Sequence, residues 1–148
     1  MKSFILLFFI SLSTRGCEST LQPSPCDPGS ICLTVDKPAY SLNDTIRVIL
    51  QNHGEAPVFL PGCSPLEIAT QTDTGWAEAP LVVCVWEGVV LKIPAGGFYQ
   101  EKIAARAYPG LHKFVAAIHL GCTEGQPLST ANCSRREKIY SAEFSVRH

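Results

Sequence analysis

Apolar and polar residues alternate along most of this chain. In residues 45–51, for example, Ile46, Val48 and Leu50 fall on one side of an extended chain, and the residues between them fall on the other. A period of two is the pattern of a β-strand with one buried face. Turn signals such as Pro94-Ala95-Gly96 separate these segments, and no stretch shows the 3.6-residue period of an amphipathic helix. The sequence therefore predicts an all-β, antiparallel sandwich or barrel.

The alternating segments are numerous and short enough for one small domain. They predict strands at residues 33–35, 45–51, 58–60, 66–72, 89–93, 99–105, 111–120 and 140–147. A Greek-key β-sandwich of the immunoglobulin-like type needs about seven strands and 100 residues. Hydrophobic residues make up 46% of the chain, which is enough for one core. We expect a single disulfide-braced, immunoglobulin-like β-sandwich over residues 31–148.

Several short motifs, taken in order, resemble a bacterial immunoglobulin-like family of secreted and envelope proteins. The residues that carry the resemblance are Lys37-Pro38-Ala39-Tyr40, Asn43-Asp44-Thr45-Ile46, Asn52, Gly75-Trp76, Ile93-Pro94-Ala95-Gly96 and Pro109-Gly110. The resemblance covers about residues 33–146 and implies the fold and a location in the cell envelope. It implies no shared catalytic activity. The segment from Cys122 to Arg136 departs from the family pattern by lengthening the final hairpin.

The N-terminus predicts export. Lys2 precedes an apolar run at residues 4–12, which is shorter than the roughly 20 residues that cross a bilayer. This is the arrangement of a secretory signal peptide. Gly16-Cys17 resembles a lipoprotein cleavage signal, although Arg15 is unusual at its position, so we expect residues 1–16 to be a lipoprotein-type signal peptide. Cleavage after Ser11-Leu12-Ser13 is the alternative and would give a secreted or periplasmic protein.

An odd number of cysteines supports lipidation. The chain has seven: Cys17, Cys26, Cys32, Cys63, Cys84, Cys122 and Cys133. If Cys17 carries acyl chains such as palmitate, an even set of six remains for disulfides. Pairing of sequence neighbours, Cys26 with Cys32, Cys63 with Cys84 and Cys122 with Cys133, is the simplest of the fifteen connectivities. Residues 17–30 are rich in proline and serine and predict a tether between a membrane anchor and the domain.

Charge and motifs exclude several functions. The formal net charge is -1, so the chain offers no basic field for nucleic acid. The chain contains no nucleophile elbow, zinc-protease helix motif, phosphate-binding loop or CxxC pair. His112 and His119 are an odd number of residues apart on one predicted strand, so they face opposite sides. We expect no enzymatic activity, no cofactor and no metal site.

Two functions remain at this point. The first is a non-enzymatic interaction or accessory lipoprotein, attached to the membrane through lipid at Cys17, with an envelope or extracellular protein as a possible partner. The second is an exported protease inhibitor that presents a rigid loop. The candidate surface for both is the segment from Gly121 to Arg136, which carries Arg135 and Arg136 and which Cys122 and Cys133 would close.

Overall fold

The structure is a computed structural model that describes residues 26–83 and 90–147. The strands are β1 (Ile31–Val35), β2 (Ala39–Ser41), β3 (Thr45–Asn52), β4 (Val58–Pro61), β5 (Glu67–Thr72), β6 (Gly75–Pro80), β7 (Val90–Ile93), β8 (Phe98–Ala104), β9 (Gly110–Cys122), β10 (Cys133–Tyr140) and β11 (Phe144–Arg147). One turn of 3-10 helix, Ala105–Ala107, precedes β9, and the described residues contain no α-helix. The all-β prediction is confirmed.

The strands form two sheets. The first has the order β1-β3-β8, with both pairings antiparallel. The second is built around the long strand β9, which pairs with β11 and β10 in succession along one edge, and with β5 and β4 along the other. β2, β6 and β7 extend this sheet, and β2 lies parallel to the last strand, β11. The chain crosses between the two sheets several times, for example from β1 to β2 and from β3 to β4, as in the Greek-key arrangement of an immunoglobulin-like sandwich.

The core lies between the two sheets and is formed by the alternating residues. Ile46, Val48 and Leu50 of β3 are fully buried, as the period-two pattern predicts. They meet Phe114 and Ile118 of β9 from the opposite sheet in one hydrophobic cluster. Removing each such side chain from water contributes about 1.5–3 kcal/mol, so this interface is the main source of stability.

The chain crosses from the first sheet to the second between β1 and β2, and Asp36 fixes the crossing. The Asp36 carboxylate accepts hydrogen bonds from the Tyr40 hydroxyl (2.6 Å) and from the Arg47 amide (2.9 Å). Burial alone would raise the pKa of Asp36, but these two hydrogen bonds bring it below its ordinary value. The Tyr40 ring packs edge-on against Phe144, with the ring centres 5.7 Å apart. The acidic and aromatic residues therefore tie the crossing to the core.

The structure corrects the prediction for the last strands. The segment from Cys122 to Arg136 was expected to be an extended hairpin loop, but strand β10 already begins at Cys133. The predicted strand at residues 140–147 is interrupted at residues 141–143, and β11 begins only at Phe144. Unbroken alternation over residues 140–147 would place Tyr140 on the same face as the buried Phe144 and Val146, but Tyr140 is 45% exposed. The reason is that Ser141 turns inward at the interruption, so the alternation before it runs in the opposite phase.

Candidate functional site

Two of the three predicted cysteine pairs lie within the described residues, and the third lies partly outside them. Cys26 is bonded to Cys32, and Cys122 is bonded to Cys133. Cys63 is also disulfide-bonded, but Cys84, its predicted partner, lies outside the described residues. The expected lipidation residue Cys17, the signal peptide and residues 17–25 of the expected tether also lie outside them. Two of the predicted pairings are therefore confirmed.

The Cys122–Cys133 disulfide closes the hairpin between β9 and β10. Cys122 and Cys133 are direct partners in the antiparallel register, with their Cα atoms 3.9 Å apart. Continuing along the same register, Arg135 lies opposite Leu120 and Arg136 lies opposite His119. Both arginines thus belong to a paired strand, and only residues 123–132 form the connecting loop. An arginine on a strand that is already paired is poorly placed to enter a protease cleft as an extended, substrate-like segment.

Gly121 permits the close approach of the two strands beside this disulfide. Its φ angle is +58°, in the left-handed region that favours glycine. A Cβ atom at Gly121 would lie 2.3 Å from Oγ of Ser134. Without it, the Ser134 hydroxyl donates to the Leu120 carbonyl at 3.1 Å. The glycine therefore lets Ser134 bridge the strands at the base of the loop.

Hydrogen bonds within the loop give it a defined shape. The Thr123 amide donates to the Asn132 carbonyl (2.8 Å), and the Cys133 amide donates to the Ser129 carbonyl (2.9 Å). The Asn132 side chain donates to the Pro127 carbonyl at 3.0 Å. At the start of the loop, Glu124 forms an exposed ion pair with Lys92 of β7 (2.9 Å). The loop is therefore held to itself and to a neighbouring strand.

A cavity of about 270 Å³ lies between this loop and the two strands. Its lining combines apolar surface with basic and hydroxyl side chains: Leu128, Ser129, Thr130 and Cys133 contribute from the loop and its end, and His119, Ser134, Arg135 and Arg136 contribute from the strands. Among the described residues, no acidic side chain lines it. This cavity is the candidate functional site.

His119 and Arg136 give the cavity its electrostatic character. The His119 side chain is 8% exposed, and burial lowers its pKa below the ordinary histidine value. The positive charge of Arg136, directly across the ladder, lowers the pKa further. His119 is therefore neutral near pH 7, while Arg136 is charged. The pair offers an imidazole and a guanidinium to the same space.

His119 and His112 lie on opposite faces of β9, as their odd spacing predicts. His112 points into the core and is 1% exposed, and its Nδ1 atom lies 3.1 Å from Oγ1 of Thr70. A hydroxyl beside an imidazole is a pairing that can activate a nucleophile, but here the His112 ring is enclosed in the core, where it contacts Phe144 and Tyr108. Thr70 is only partly buried, and its contact with His112 links β5 to β9.

One group of potential metal ligands is present in the described residues. The ligand atoms of Cys26, Cys32 and His53 all lie within 4.8 Å of one another. The two sulfur atoms are bonded to each other, so they are not thiolates that could bind a metal ion. In the disulfide form, His53 is the one remaining strong ligand of this group.

The outer face of the second sheet carries an aromatic and charged cluster. The Lys113 ammonium group lies 4.2 Å from the centre of the Trp76 ring and 5.0 Å from that of Tyr140. Glu78 accepts a hydrogen bond from the Tyr140 hydroxyl at 3.1 Å and forms an ion pair with Lys138. All of these polar groups have partners within the cluster. It covers the sheet beneath it, where Val115 is fully buried.

The sequence alone indicated the segment from Gly121 to Arg136, which includes Ser129 and Thr130, but it missed the contribution of His119. A usable signal was present. If Cys122 and Cys133 are taken as partners on adjacent antiparallel strands, counting three residues inward from each reaches His119 and Arg136.

No helix in the described part of the chain has both the length and the apolar composition that a membrane crossing requires.

The chain was compared with protein-family models and with curated proteins. No family model and no curated protein matches it.

Proposed function

We propose that this chain is a non-enzymatic interaction or accessory protein of the cell envelope, anchored by lipid at Cys17 and binding its partner at the β9–β10 hairpin. The observation that carries the proposal is the cavity beside Arg136. It is concave and basic, and its walls are held by a disulfide and by internal hydrogen bonds. Binding surfaces are favoured where rigid elements position polar groups in a concavity.

The anchoring part of the proposal predicts a specific modification. Gly16-Cys17 and the seventh cysteine both favour acylation of Cys17. Two or more acyl chains hold a protein stably on a bilayer, because each buried CH₂ group contributes about 0.8 kcal/mol. Mass spectrometry of the mature N-terminus should therefore find an acylated Cys17, and Cys17→Ala should move the protein out of the membrane fraction. A free amino terminus at Thr14 would refute the lipid anchor.

The binding part is tested by affinity capture from intact cells that display the full chain. Arg136→Gln should lose partners that wild type retains, because it removes the charged group at the cavity. Arg106→Gln is the matched control, since Arg106 is exposed in the 3-10 turn that precedes β9, at the opposite end of that strand from the hairpin. If the two variants capture the same partners as wild type, the hairpin is not the binding surface.

A further inference from the structure

We propose that the cavity between the β9–β10 ladder and the loop at residues 123–132 binds an oxyanion, meaning the phosphate, sulfate or carboxylate group of a larger ligand. Arg136 would supply the positive charge, and His119 would supply a hydrogen-bond donor. This inference rests on the proposed function, because it names the chemistry by which the hairpin recognises its partner.

The first support is that Arg136 has no anionic partner among the described residues. Two carboxylates of the hairpin and its loop are engaged with other cations: Glu137 with Arg135 (2.7 Å) and Glu124 with Lys92 (2.9 Å). A guanidinium group presents a planar set of N–H donors that matches two oxygen atoms of one oxyanion. Arg136 lines the cavity with that capacity unused.

The second support is the state of His119. His119 is 8% exposed as a residue, it lines the cavity, and no hydrogen bond to it occurs within the described part of the chain. Its ring nitrogens are not among the fully buried unpaired atoms there, so the imidazole keeps a polar edge that a ligand in the cavity can reach. A neutral imidazole keeps one N–H group, and an anion next to Arg136 would be a suitable acceptor.

Size and lining restrict the ligand. The volume of about 270 Å³ lies just below the usual range of ligand pockets, about 300–1,000 Å³, so the cavity suits one functional group rather than a whole large molecule. Ser129 and Thr130 line the same space and bring side-chain hydroxyl groups. Ser134 is less available, because its hydroxyl already donates to Leu120. The described lining thus supplies hydrogen-bond donors from arginine, histidine and hydroxyl side chains but no carboxylate that would bind a cation, so an anion fits it better.

The disulfide makes the cavity persistent. Cys122–Cys133 closes the loop at its base, and the Cys133 amide holds Ser129 in place. Binding to a site that already has its final shape avoids the entropy cost of ordering a loop. The site should therefore bind a small free anion without a large change in structure.

The experiment titrates the oxidised domain with sodium phosphate, sodium sulfate and sodium acetate, with sodium chloride at matched ionic strength, and follows amide and imidazole NMR signals. We expect saturable 1:1 shifts confined to His119, residues 128–130 and residues 134–136. The three salts separate phosphate, sulfate and carboxylate as ligand classes. Shifts that are scattered over the surface, or that chloride reproduces, would mean an adventitious ion only and would overturn the proposal.

Variants locate the charge. Arg136→Gln should weaken binding of the preferred anion roughly tenfold or more, since a charge-assisted hydrogen bond is replaced by a neutral one. Arg106→Gln, remote from the cavity, should leave binding unchanged, and Arg135→Gln should have a smaller effect because Arg135 is already paired with Glu137. Equal effects of all three variants would indicate general charge attraction and contradict a defined site.

The imidazole of His119 gives a second readout. The charged groups around it are Arg136 on β10, Arg135 with its partner Glu137, and the Lys92–Glu124 pair beyond Phe59. A bound anion should raise the pKa of His119, because it stabilises the imidazolium form against Arg136. An unchanged His119 titration at saturating anion would place the anion elsewhere. If anions bind as described but capture from cells finds no partner, the site stands and the proposed function fails.

Discussion

At the scale of single residues, His112 is the least satisfied group in the described part of the chain. Its Nε2 atom is the one buried side-chain nitrogen or oxygen there without a hydrogen-bond partner. Burial lowers the pKa of His112, and nearby carbonyl groups of Tyr108 and Pro109 offset part of this effect without completing a hydrogen bond. The folded state therefore requires a neutral imidazole, whereas the unfolded chain binds a proton near the ordinary pKa of 6.5.

This difference predicts a loss of stability in mild acid. Stability is complete above about pH 6.5 and falls as the pH drops below that value toward the lower folded-state pKa, because the unfolded state then binds more protons. One such group changes the free energy of unfolding by at most about 1.4 kcal/mol per pH unit. Chemical denaturation at about pH 7.5 and pH 5 should measure a decrease of at most about 2 kcal/mol from His112.

Substitution separates His112 from the other histidines. His112→Gln should reduce the difference in unfolding free energy between the two pH values, even if the variant is less stable at both. His53→Gln should retain the full difference, because His53 is exposed. His119→Gln is a useful third variant, since the lowered pKa of His119 has the same sign of effect. An undiminished pH dependence in His112→Gln would contradict this assignment.

At the scale of secondary-structure elements, Ser141 allows β9 to pair with two successive strands. β10 ends at Tyr140 and β11 begins at Phe144, so the ladder along this edge of β9 is interrupted. The Ser141 amide donates to the Phe114 carbonyl (3.0 Å), and the Ser141 hydroxyl accepts from the Phe114 amide (2.9 Å). A side chain thus replaces a backbone acceptor at the interruption.

Ser141→Ala should therefore destabilise the domain by about 1–3 kcal/mol, because the buried Phe114 amide would lose its acceptor. Ser145→Ala is the control, since Ser145 lies on β11 and its backbone amide, which bonds to the Pro38 carbonyl, is retained in the variant. Thermal and denaturant unfolding would measure both. Equal stability of the two variants would show that water or a backbone shift replaces the hydroxyl.

At the scale of the whole molecule, the two described disulfides act in different places. Cys26–Cys32 closes a short loop at the start of β1, with a sequence separation of 6, and Cys122–Cys133 closes the hairpin loop, with a separation of 11. On a chain-entropy estimate each contributes about 2–3 kcal/mol, with the longer loop contributing slightly more. The two disulfides should therefore contribute nearly equally to the free energy of unfolding. They differ in position, because only Cys122–Cys133 lies at the cavity.

Cys122→Ala/Cys133→Ala should lower the melting temperature and also weaken anion binding, because the loop carrying Ser129 and Thr130 would lose its covalent closure. Cys26→Ala/Cys32→Ala should lower the melting temperature by a similar amount and leave anion binding unchanged. Calorimetry and the NMR titration would measure the two effects. Equal anion binding by both double variants would show that hydrogen bonds alone hold the loop.

The strands that the sequence predicts best are those whose two faces differ most in polarity. In β3, the predicted inward residues Ile46, Val48 and Leu50 are aliphatic and all three are buried, because a one-residue shift would expose all three. β10 was missed because it carries charged residues on both sides of its pleat: Arg135 is exposed and Glu137 is only partly buried, although both lie on the side that continues the inward face of β9. A strand without a buried face leaves no period-two signal.

By itself, the sequence determined the all-β class and the inward faces of the core strands, and it favoured the two disulfide pairings that the structure contains, because alternation, turn residues and cysteine spacing are local properties of the chain. Only the tertiary structure decided the phase change at Ser141, the burial of His112 and the cavity that joins His119 to Arg136. These depend on which strand lies beside which, and on where one sheet stops covering the other. The imidazole of His119 and the guanidinium of Arg136 come together only because β9 and β10 pair in this register.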